Sequence, residues 1–398
     1  MTEPLKVALI AGEASGDQLG FKLMRALKAA AGREIVFIGV GGERMEAEGL
    51  RSAFPISDIA VMGILPVIGR LPTVLRRIRD AAAAVVEARP DVLVVIDSPD
   101  FTHRVARRVR KALPGLPIVD YVSPSVWAWR PGRARTMRAY TDHVLALLPF
   151  EPAAHERLGG PACSYVGHPL IERLDELRPN AEEAARRESE PPILLVLPGS
   201  RRSEIARLME PFGGAVARIA QARAGAVEFV IPAVAHLESE IRSAVASWPV
   251  APRIVTGEDA KLAAFRTARA ALAASGTVTL ELALAQVPMV VAYRVSKLEE
   301  QLKHLITVSS IVLPNLILGE NAIPELLQND CVPEKLAEAV LPLLEHTPAR
   351  VAQSAALQKL DTAMATDREP SKKAAEIVLS MLGRVRGDST SSRPGLSP

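Results

Sequence analysis

Short runs of apolar residues alternate with longer amphipathic segments along the first half of the chain. Five of these runs are predicted as buried strands: Val7–Ala11, Ile35–Val40, Val92–Ile96, Ile118–Val122 and Val144–Leu148. Between them, three segments have helical composition: Asp17–Ala31, Leu71–Ala88 and Thr102–Leu113. Apolar strands separated by helices are typical of parallel sheets covered on both faces, so this half predicts a domain built from βαβ units.

The alternation pauses at Leu177–Pro192, a polar stretch bounded by prolines that is predicted to be an interdomain linker. A second set of predicted strands follows: Ile193–Leu197, Glu228–Ile231, Arg253–Val255, Ala270–Ala274 and Met289–Ala292. Three predicted helices end the chain: Glu334–Glu345, Ala349–Ala365 and Ser371–Gly383. We therefore predict an α/β protein with two Rossmann-like βαβ domains facing across a cleft, with ligands at the carboxyl ends of the strands.

This pattern sets the expected domain limits. The first domain is predicted over 1–176, the linker over 177–192 and the second domain over 193–345. The segment 346–383 is a candidate to complete the first domain, and 384–398 is predicted to be a disordered tail.

Composition narrows the class of protein. Of 398 residues, 48% are hydrophobic and 23% charged, as in ordinary folded proteins. Two cysteines cannot form a disulfide framework and fit a reducing compartment. The first residues do not have the pattern of a signal peptide, and no uncharged apolar run reaches the roughly 18 residues of a membrane span. We expect a cytoplasmic protein.

Charge is unevenly distributed within a net charge of +3. Between Arg70 and Arg138 there are fourteen basic and six acidic residues, which either attract an anionic surface or form several solvated helix faces. Trp127 and Trp129 lie in this window, but no further aromatic residues alternate with the arginines. Stacking on bases is therefore improbable, and no nucleic-acid partner is predicted.

Two turns in the first domain carry candidate chemistry. The turn GEASGD follows the first strand and contains Glu13, Ser15, Gly16 and Asp17. It suits close approach of a ligand to a helix start, or a simple helix cap by Ser15 or Asp17 that leaves Glu13 unexplained. The motif IDSPDF places Asp97 and Asp100 after an apolar strand. A general base belongs at such a strand end, and Asp100 alternatively suits a helix cap.

Two turns in the second domain repeat this arrangement. In LPGSRRSE, Ser200 and Arg201 precede a helix, where backbone N–H groups and a guanidinium can hold a diphosphate. In ASGTVTLE, the candidate residues are Ser275, Gly276, Thr277 and Glu281. Glu281 could accept two hydrogen bonds from a ribose diol, or Thr277 could simply cap the helix. The dinucleotide and P-loop fingerprints are absent, and the histidines lack metal-ligand spacing, so no metal and no cofactor are predicted.

The stretch MGILPVIGRLPTVL, from Met62 to Leu75, is apolar, broken by prolines and followed by Arg76, Arg77 and Arg79. Broken apolar segments next to arginines suit a surface that enters a bilayer interface, whereas the alternative is a buried irregular connection.

Taken together, these motifs resemble the lipid-A-disaccharide synthases. The resemblance runs from about Val7 to Leu382 and is carried by motifs in family order: VALIAGEASGD, AVMG, IDSPDF, YVSPSVWAWR, LPFE, VGHP, LPGSR, ASGTVTLE, VPMVVAYR and LPNLILG. Two departures are Thr102, where the family usually has Asn, and Val312, where Ser is commoner. The first puts a hydrogen bond near Asp97 in doubt.

The resemblance implies a B-type glycosyltransferase fold and an activity. The enzyme would transfer 2,3-diacylglucosamine from its UDP donor to 2,3-diacylglucosamine 1-phosphate, with inversion, giving a β(1→6) disaccharide 1-phosphate and UDP. Asp97 would be the base and Glu13 would position the acceptor or assist. Arg201 would meet the diphosphate without a metal, Glu281 the ribose, and the nucleotide side would include Tyr293, Arg294 and Asn315.

The resemblance also implies a peripheral enzyme on the inner face of the inner membrane. The acyl chains of the substrates would contact an apolar surface made by Met62, Ile64, Leu65, Val67 and Leu71. Arg76 and Arg77 would meet the acceptor phosphate and anionic lipid. A homodimer through Lys297–Ile311 is a further expectation. The main rival is a UDP-sugar 2-epimerase on the same fold, which needs no apolar, arginine-flanked surface.

Overall fold

The computed structural model describes residues 3–59, 64–295 and 308–388, without the side chains of 64–70 and 383–388. The chain forms two compact units. The first comprises Met1–Pro169 together with Thr366–Pro398, and the second is the continuous segment Leu170–Ala365.

A seven-stranded parallel sheet forms the centre of the first unit. Its strands are β1 Leu5–Ala11, β2 Ile35–Val40, β3 Arg51–Ser52, β4 Val92–Ile96, β5 Ile118–Tyr121, β6 His143–Ala146 and β7 Ala162–Tyr165. The spatial order is β3-β2-β1-β4-β5-β6-β7. The order reverses between β1 and β4, which makes the ends of these strands the switch point where ligands bind in such sheets.

Helices cover both faces of this sheet. They are α1 Ala14–Ala30, α2 Glu43–Ala47, α3 Ile64–Ala88, α4 Pro99–Ala112, α5 Gly132–Met137 and α6 Glu151–Arg157. α4 shows why the window from Arg70 to Arg138 is so basic: it buries Val105, Ala106 and Val109 and exposes Arg104 and Arg108. A solvated helix face thus contributes to the basic window.

The second unit repeats the architecture with six parallel strands. They are β8 Ile193–Leu197, β9 Glu228–Ala233, β10 Arg253–Thr256, β11 Ala270–Ala274, β12 Met289–Tyr293 and β13 Glu325–Leu327. Their order is β10-β9-β8-β11-β12-β13. The described helices of this unit are α7 Leu174–Leu177, α8 Ala181–Glu188, α9 Arg202–Ala222, α10 Glu238–Val245, α11 Glu258–Thr267, α12 Thr277–Leu284, α13 Leu313–Leu318, α14 Pro333–Val340 and α15 Pro348–Ala363. Two Rossmann-like domains are confirmed.

The last helix, α16 Pro370–Asp388, returns to the first unit. Its Ala374, Ala375 and Val378 are fully buried in the same apolar core as Leu23 of α1. α15 stays in the second unit instead, where Leu357 and Leu360 are buried. Of the predicted tail 384–398, residues 384–388 continue α16, and 389–398 lie outside the described residues.

The predicted linker 177–192 is wrong, because this polar stretch folds into the second unit as α8. Asn180 and Glu183 form a capping box at its start. Arg187 is buried and donates hydrogen bonds to four backbone carbonyl oxygens. Those of Phe265 and Arg266 lie in the last turn of α11, and those of Ala285 and Gln286 directly follow α12. Helix ends leave such carbonyls without intrahelical partners, and the guanidinium supplies five donors.

Candidate functional site

In the first unit, the turns after β1 and β4 bring three predicted residues together. The Ser15 hydroxyl lies 3.0 Å from a carboxylate oxygen of Asp97 and 3.2 Å from one of Glu13. Because a hydroxyl has a single proton, Ser15 donates to only one of these carboxylates at a time. The switch point of the sheet therefore holds two acids bridged by one hydroxyl.

The backbone at Asp97 is held in an uncommon conformation. Asp97 and Ser98 have φ of +54° and +44°, both in the left-handed region. The Ser98 N–H donates to the Asp97 carboxylate at 2.7 Å, and the Thr102 hydroxyl donates to the Asp97 carbonyl at 2.7 Å. Thr102 thus supplies a hydrogen bond beside Asp97. Gly12 is required here, since a Cβ would lie 2.3 Å from that of Ser98. Strain at such positions is characteristic of functional sites.

Three other residues of these turns have partners within the fold. Asp17 is buried and accepts the backbone N–H groups of Gly42 and Met45 at 2.8 and 3.1 Å, so it caps α2 and corrects the expected binding role. Gly16 allows close packing of α1, because a Cβ would lie 3.2 Å from the Ile96 carbonyl. The exposed Asp100 forms an ion pair with Arg133 at 3.0 Å.

The second unit has a pocket of about 360 Å³ at the carboxyl ends of β8, β9 and β11. Six predicted residues line it: Ser200, Arg201, Ser275, Gly276, Thr277 and Glu281. Sequence reasoning missed Glu204 and Lys261, which line it as well. A concave pocket with a few converging polar groups is the usual form of a small-molecule site.

Glu204 organises the loop before α9. Its carboxylate accepts the N–H groups of Ser200 and Arg201 at 2.9 and 3.2 Å and the Arg201 guanidinium at 2.9 Å. Gly199 has φ of +112°, and a Cβ there would lie 2.4 Å from Glu204. The two N–H groups expected to hold a diphosphate are therefore used internally, which corrects that expectation. A Glu at the third helical position, three residues after the N-cap Arg201, was the available signal.

Glu281 sits one turn into α12 and pairs with Lys261, whose Nζ lies 3.1 Å from Glu281 and 3.0 Å from Glu258. Gly276 occupies the N-cap position of α12 and Thr277 is its first residue, so Thr277 is not the cap. The Ser275 hydroxyl donates to the Ile311 carbonyl at 2.8 Å. The pocket thus combines a guanidinium, an ammonium and a carboxylate.

The three remaining nucleotide-side predictions are not among the residues lining this pocket. The buried Asn315 bonds through its amide to the backbone of Ile323 and to Glu325, each at 2.9 Å, and so closes a loop. Arg294 donates to the Cys331 carbonyl, and Tyr293 ends β12. Asn315 and Arg294 therefore have hydrogen-bond partners within the fold, and their contact with the nucleotide stays a prediction.

The apolar stretch lies only partly within the described residues. Met62 lies outside them, as do the side chains of Ile64, Leu65 and Val67. Leu71 and Leu75 are 44% and 37% exposed on α3, and Arg76 is exposed. Arg77 pairs with Asp58 and Asp80 at 2.5 and 3.1 Å, and its contact with the acceptor phosphate stays a prediction.

Neither a membrane-spanning helix nor a cluster of metal ligands occurs within the described ranges. No described helix is long and apolar enough to cross a membrane. Among the same residues there is no group of three or more His, Cys, Asp or Glu placed to hold a metal ion. Most of the proposed dimer segment Lys297–Ile311, namely 297–307, lies outside the described residues.

Solved structures of two enzyme types share this fold. The UDP-GlcNAc 2-epimerase of Neisseria meningitidis bound to UDP-GlcNAc has a TM-score of 0.58 at 11% identity, covering 96% of this chain and 100% of that chain. MurG of Acinetobacter baumannii has a TM-score of 0.58 at 14% identity, covering 95% and 100%. The fold is thus the two-domain class of B-type glycosyltransferases and related epimerases.

Sequence comparison resolves the family within that class. A family model described as lipid-A-disaccharide synthetase matches residues 7–379. The lipid-A-disaccharide synthase of Bradyrhizobium diazoefficiens is 57% identical over 383 residues, covering 96% of this chain and 97% of that protein. The chain belongs to the lipid-A-disaccharide synthase family, glycosyltransferases of lipid A biosynthesis, and the resemblance is confirmed.

Proposed function

We propose that the enzyme transfers 2,3-diacylglucosamine from UDP to the 6-hydroxyl of 2,3-diacylglucosamine 1-phosphate. The observation that carries this proposal is the Glu13–Ser15–Asp97 cluster at the switch point of the first sheet, in a chain of this family. Such a cluster supplies what the reaction needs, a carboxylate held ready to accept the proton of an attacking hydroxyl.

The chemistry is an inverting displacement. The acceptor hydroxyl attacks the anomeric carbon from the face opposite UDP, its proton passes to Asp97, and the bond to UDP breaks with the electron pair leaving on the diphosphate. Asp97 is favoured as base because Ser15 and the Ser98 N–H orient its carboxylate. Asp100 is exposed and paired with Arg133, which makes it a poorer choice.

The pocket of the second unit would bind the UDP part of the donor. Glu281 would accept hydrogen bonds from the ribose diol, and Arg201 would meet the diphosphate as charge develops on it. The Arg201 side chain is 65% exposed while its guanidinium pairs with Glu204, so it can also bond a ligand. Activity is expected to need no divalent metal.

Glu281→Gln is expected to raise the dissociation constant for UDP about tenfold, since hydrogen bonds to a charged group contribute about 1.5–3 kcal/mol. Isothermal titration with UDP measures it. Glu258→Gln is the matched control, because Glu258 pairs with the same Lys261 but does not line the pocket. Equal affinities for the two variants would remove the ribose role.

The double variant Leu71→Ser/Leu75→Ser is expected to weaken binding to anionic phospholipid vesicles about tenfold, because two exposed apolar side chains no longer enter the bilayer interface. Vesicle co-sedimentation measures it. Val351→Ser, a similarly exposed position in the second unit, should change nothing. Unchanged sedimentation of the double variant would place membrane attachment elsewhere than on these residues.

The decisive assay uses the full chain, both acylated substrates, mild detergent and a chelator. Equal amounts of UDP and disaccharide 1-phosphate, measured by mass spectrometry, would support the proposal and the absence of a metal requirement. UDP without disaccharide would indicate hydrolysis. The epimerase alternative is supported by fold alone, and conversion of plain UDP-N-acetylglucosamine to its 2-epimer, without transfer, would favour it.

A further inference from the structure

A buried carboxylate at the end of β6 is not used by the chemistry proposed above. Glu151, in the LPFE motif, is only 3% exposed. One of its oxygens accepts the indole N–H of Trp127 at 3.1 Å, and the other accepts the Leu148 N–H at 2.9 Å. Phe150 packs edge-on against Trp127 with ring centroids 5.0 Å apart. The start of α6 therefore fixes the Trp127 ring in position and orientation.

A second side chain of α6 holds the same loop. The buried His155 lies with its Nε2 2.9 Å from the hydroxyl of Ser123, which is also buried. Val122 and Arg130, at the two ends of the loop, have φ of +87° and +53°. Positive φ is rare for a β-branched residue and persists only where surrounding contacts enforce it. The loop 122–130 is thus held in a strained conformation by α6.

The loop presents a flat cationic surface at its far end. Trp129 is 42% exposed, and the Arg130 guanidinium lies over its ring, 4.1 Å from the centroid. The loop follows β5, the neighbour of β4, so it leaves the sheet from the same edge as Asp97. An indole face suits the apolar face of a sugar ring, and a guanidinium suits a phosphate.

We propose that Glu151 is a positioning residue of the acceptor site, holding Trp127 so that Trp129 and Arg130 bind the sugar 1-phosphate of the acceptor. This inference rests on the proposed function, because that function defines the acceptor. The proposal gives the motifs YVSPSVWAWR and LPFE a role in acceptor binding, which the general base and the UDP pocket do not explain.

The surroundings of Glu151 make this arrangement sensitive to pH. Burial raises the pKa of Glu151 to about 7, and the charge of Asp120 on β5 acts in the same direction. On β7, burial raises the pKa of Cys163, and on α6 burial lowers the pKa of His155, so both are neutral near pH 7. Ionised Glu151 accepts both hydrogen bonds, whereas the protonated carboxyl places its own hydrogen towards one donor. The Leu148 and Trp127 N–H groups lower the pKa of Glu151 and so oppose the effect of burial. By linkage, ionisation of the buried carboxyl strengthens its hydrogen bond to Trp127, so protonation as pH falls through about 7 should loosen the loop while Glu151 stays buried.

The test compares Glu151→Gln with Glu156→Gln, an exposed position on the same helix. Glutamine resembles the protonated carboxyl, with one acceptor and one donor. In the wild type, kcat/KM for the acceptor should fall below pH 7 as Glu151 is protonated. Glu151→Gln should show no such fall. At pH 8 it should raise KM for the acceptor about tenfold and leave KM for the donor unchanged. Glu156→Gln should behave as wild type. Trp129→Phe should reproduce the rise in acceptor KM without altering the pH profile.

A second measurement is independent of turnover. In a Trp248→Phe background, tryptophan emission reports only Trp127 and Trp129, and it should shift with a midpoint near pH 7 unless Glu151 is glutamine. Unchanged acceptor KM and pH profile in Glu151→Gln would overturn the proposal. An equal rise in the KM values for acceptor and donor, together with a lowered melting temperature, would also overturn it. Absence of disaccharide formation by the wild type would refute the proposed function, and loss of the emission shift on substitution would still support the positioning role.

Discussion

Asp97→Asn is expected to lower kcat about 10³-fold, in the range that removal of a general base produces, and to leave UDP affinity within about twofold. The amide cannot accept the acceptor proton, but it keeps an oxygen for the Ser98 N–H, and asparagine tolerates the left-handed backbone at this position. Disaccharide formation at saturating substrates and UDP titration measure the two quantities.

Asp100→Asn is the control, since Asp100 is exposed and makes only a surface ion pair with Arg133. It should keep kcat within about threefold. Glu13→Gln distinguishes the remaining candidate, because Glu13 shares the Ser15 hydroxyl with Asp97. Wild-type turnover by Asp97→Asn, together with a large loss in Glu13→Gln, would transfer the role of base to Glu13.

Arg187→Met is expected to lower the free energy of unfolding of the second unit by about 3–5 kcal/mol, because it leaves buried carbonyl oxygens without donors. Methionine retains much of the length of the side chain but none of its hydrogen bonds to the ends of α11 and α12. Chemical denaturation measures the free energy of unfolding. Amide hydrogen exchange should show reduced protection in α11 and α12 and unchanged protection in β1 and β4.

Arg242→Met is the control for losing one guanidinium, since Arg242 pairs with Glu238 on the surface of α10. Such pairs contribute about 1 kcal/mol or less. If both variants unfold alike, the buried hydrogen bonds of Arg187 stabilise the unit no more than a surface pair does.

The fold followed from apolar runs where strands are central. β4, β8 and β11 have the predicted bounds, because strands buried on both faces consist of consecutive apolar residues. The short strands β3, β7 and β13 were missed because they contain no such run. The prediction of a linker failed for another reason. Arg187 is polar in the sequence, yet its charge is compensated by backbone carbonyls that only folding brings close to it.

The location of the candidate site could be predicted from the sequence, but the hydrogen-bond partners of its residues could not. Asp97, Arg201 and Glu281 follow strand ends, and position along a strand is encoded locally. Asp17 was misread because its partners, from Gly42 to Met45, lie more than twenty residues away in sequence. Composition carries no signal for which distant N–H groups meet a carboxylate, so binding and structural acids look alike until the chain is folded.

The return of α16 to the first unit has a consequence for biosynthesis. The second unit is one continuous stretch, so it can fold while the rest of the chain is still being translated, as domains commonly do. The first unit, although made earlier, exposes the apolar groove beside Leu23 until the ribosome has released Ala374 and Val378. Nascent chains should therefore bind chaperones through their amino-terminal half until synthesis passes α16.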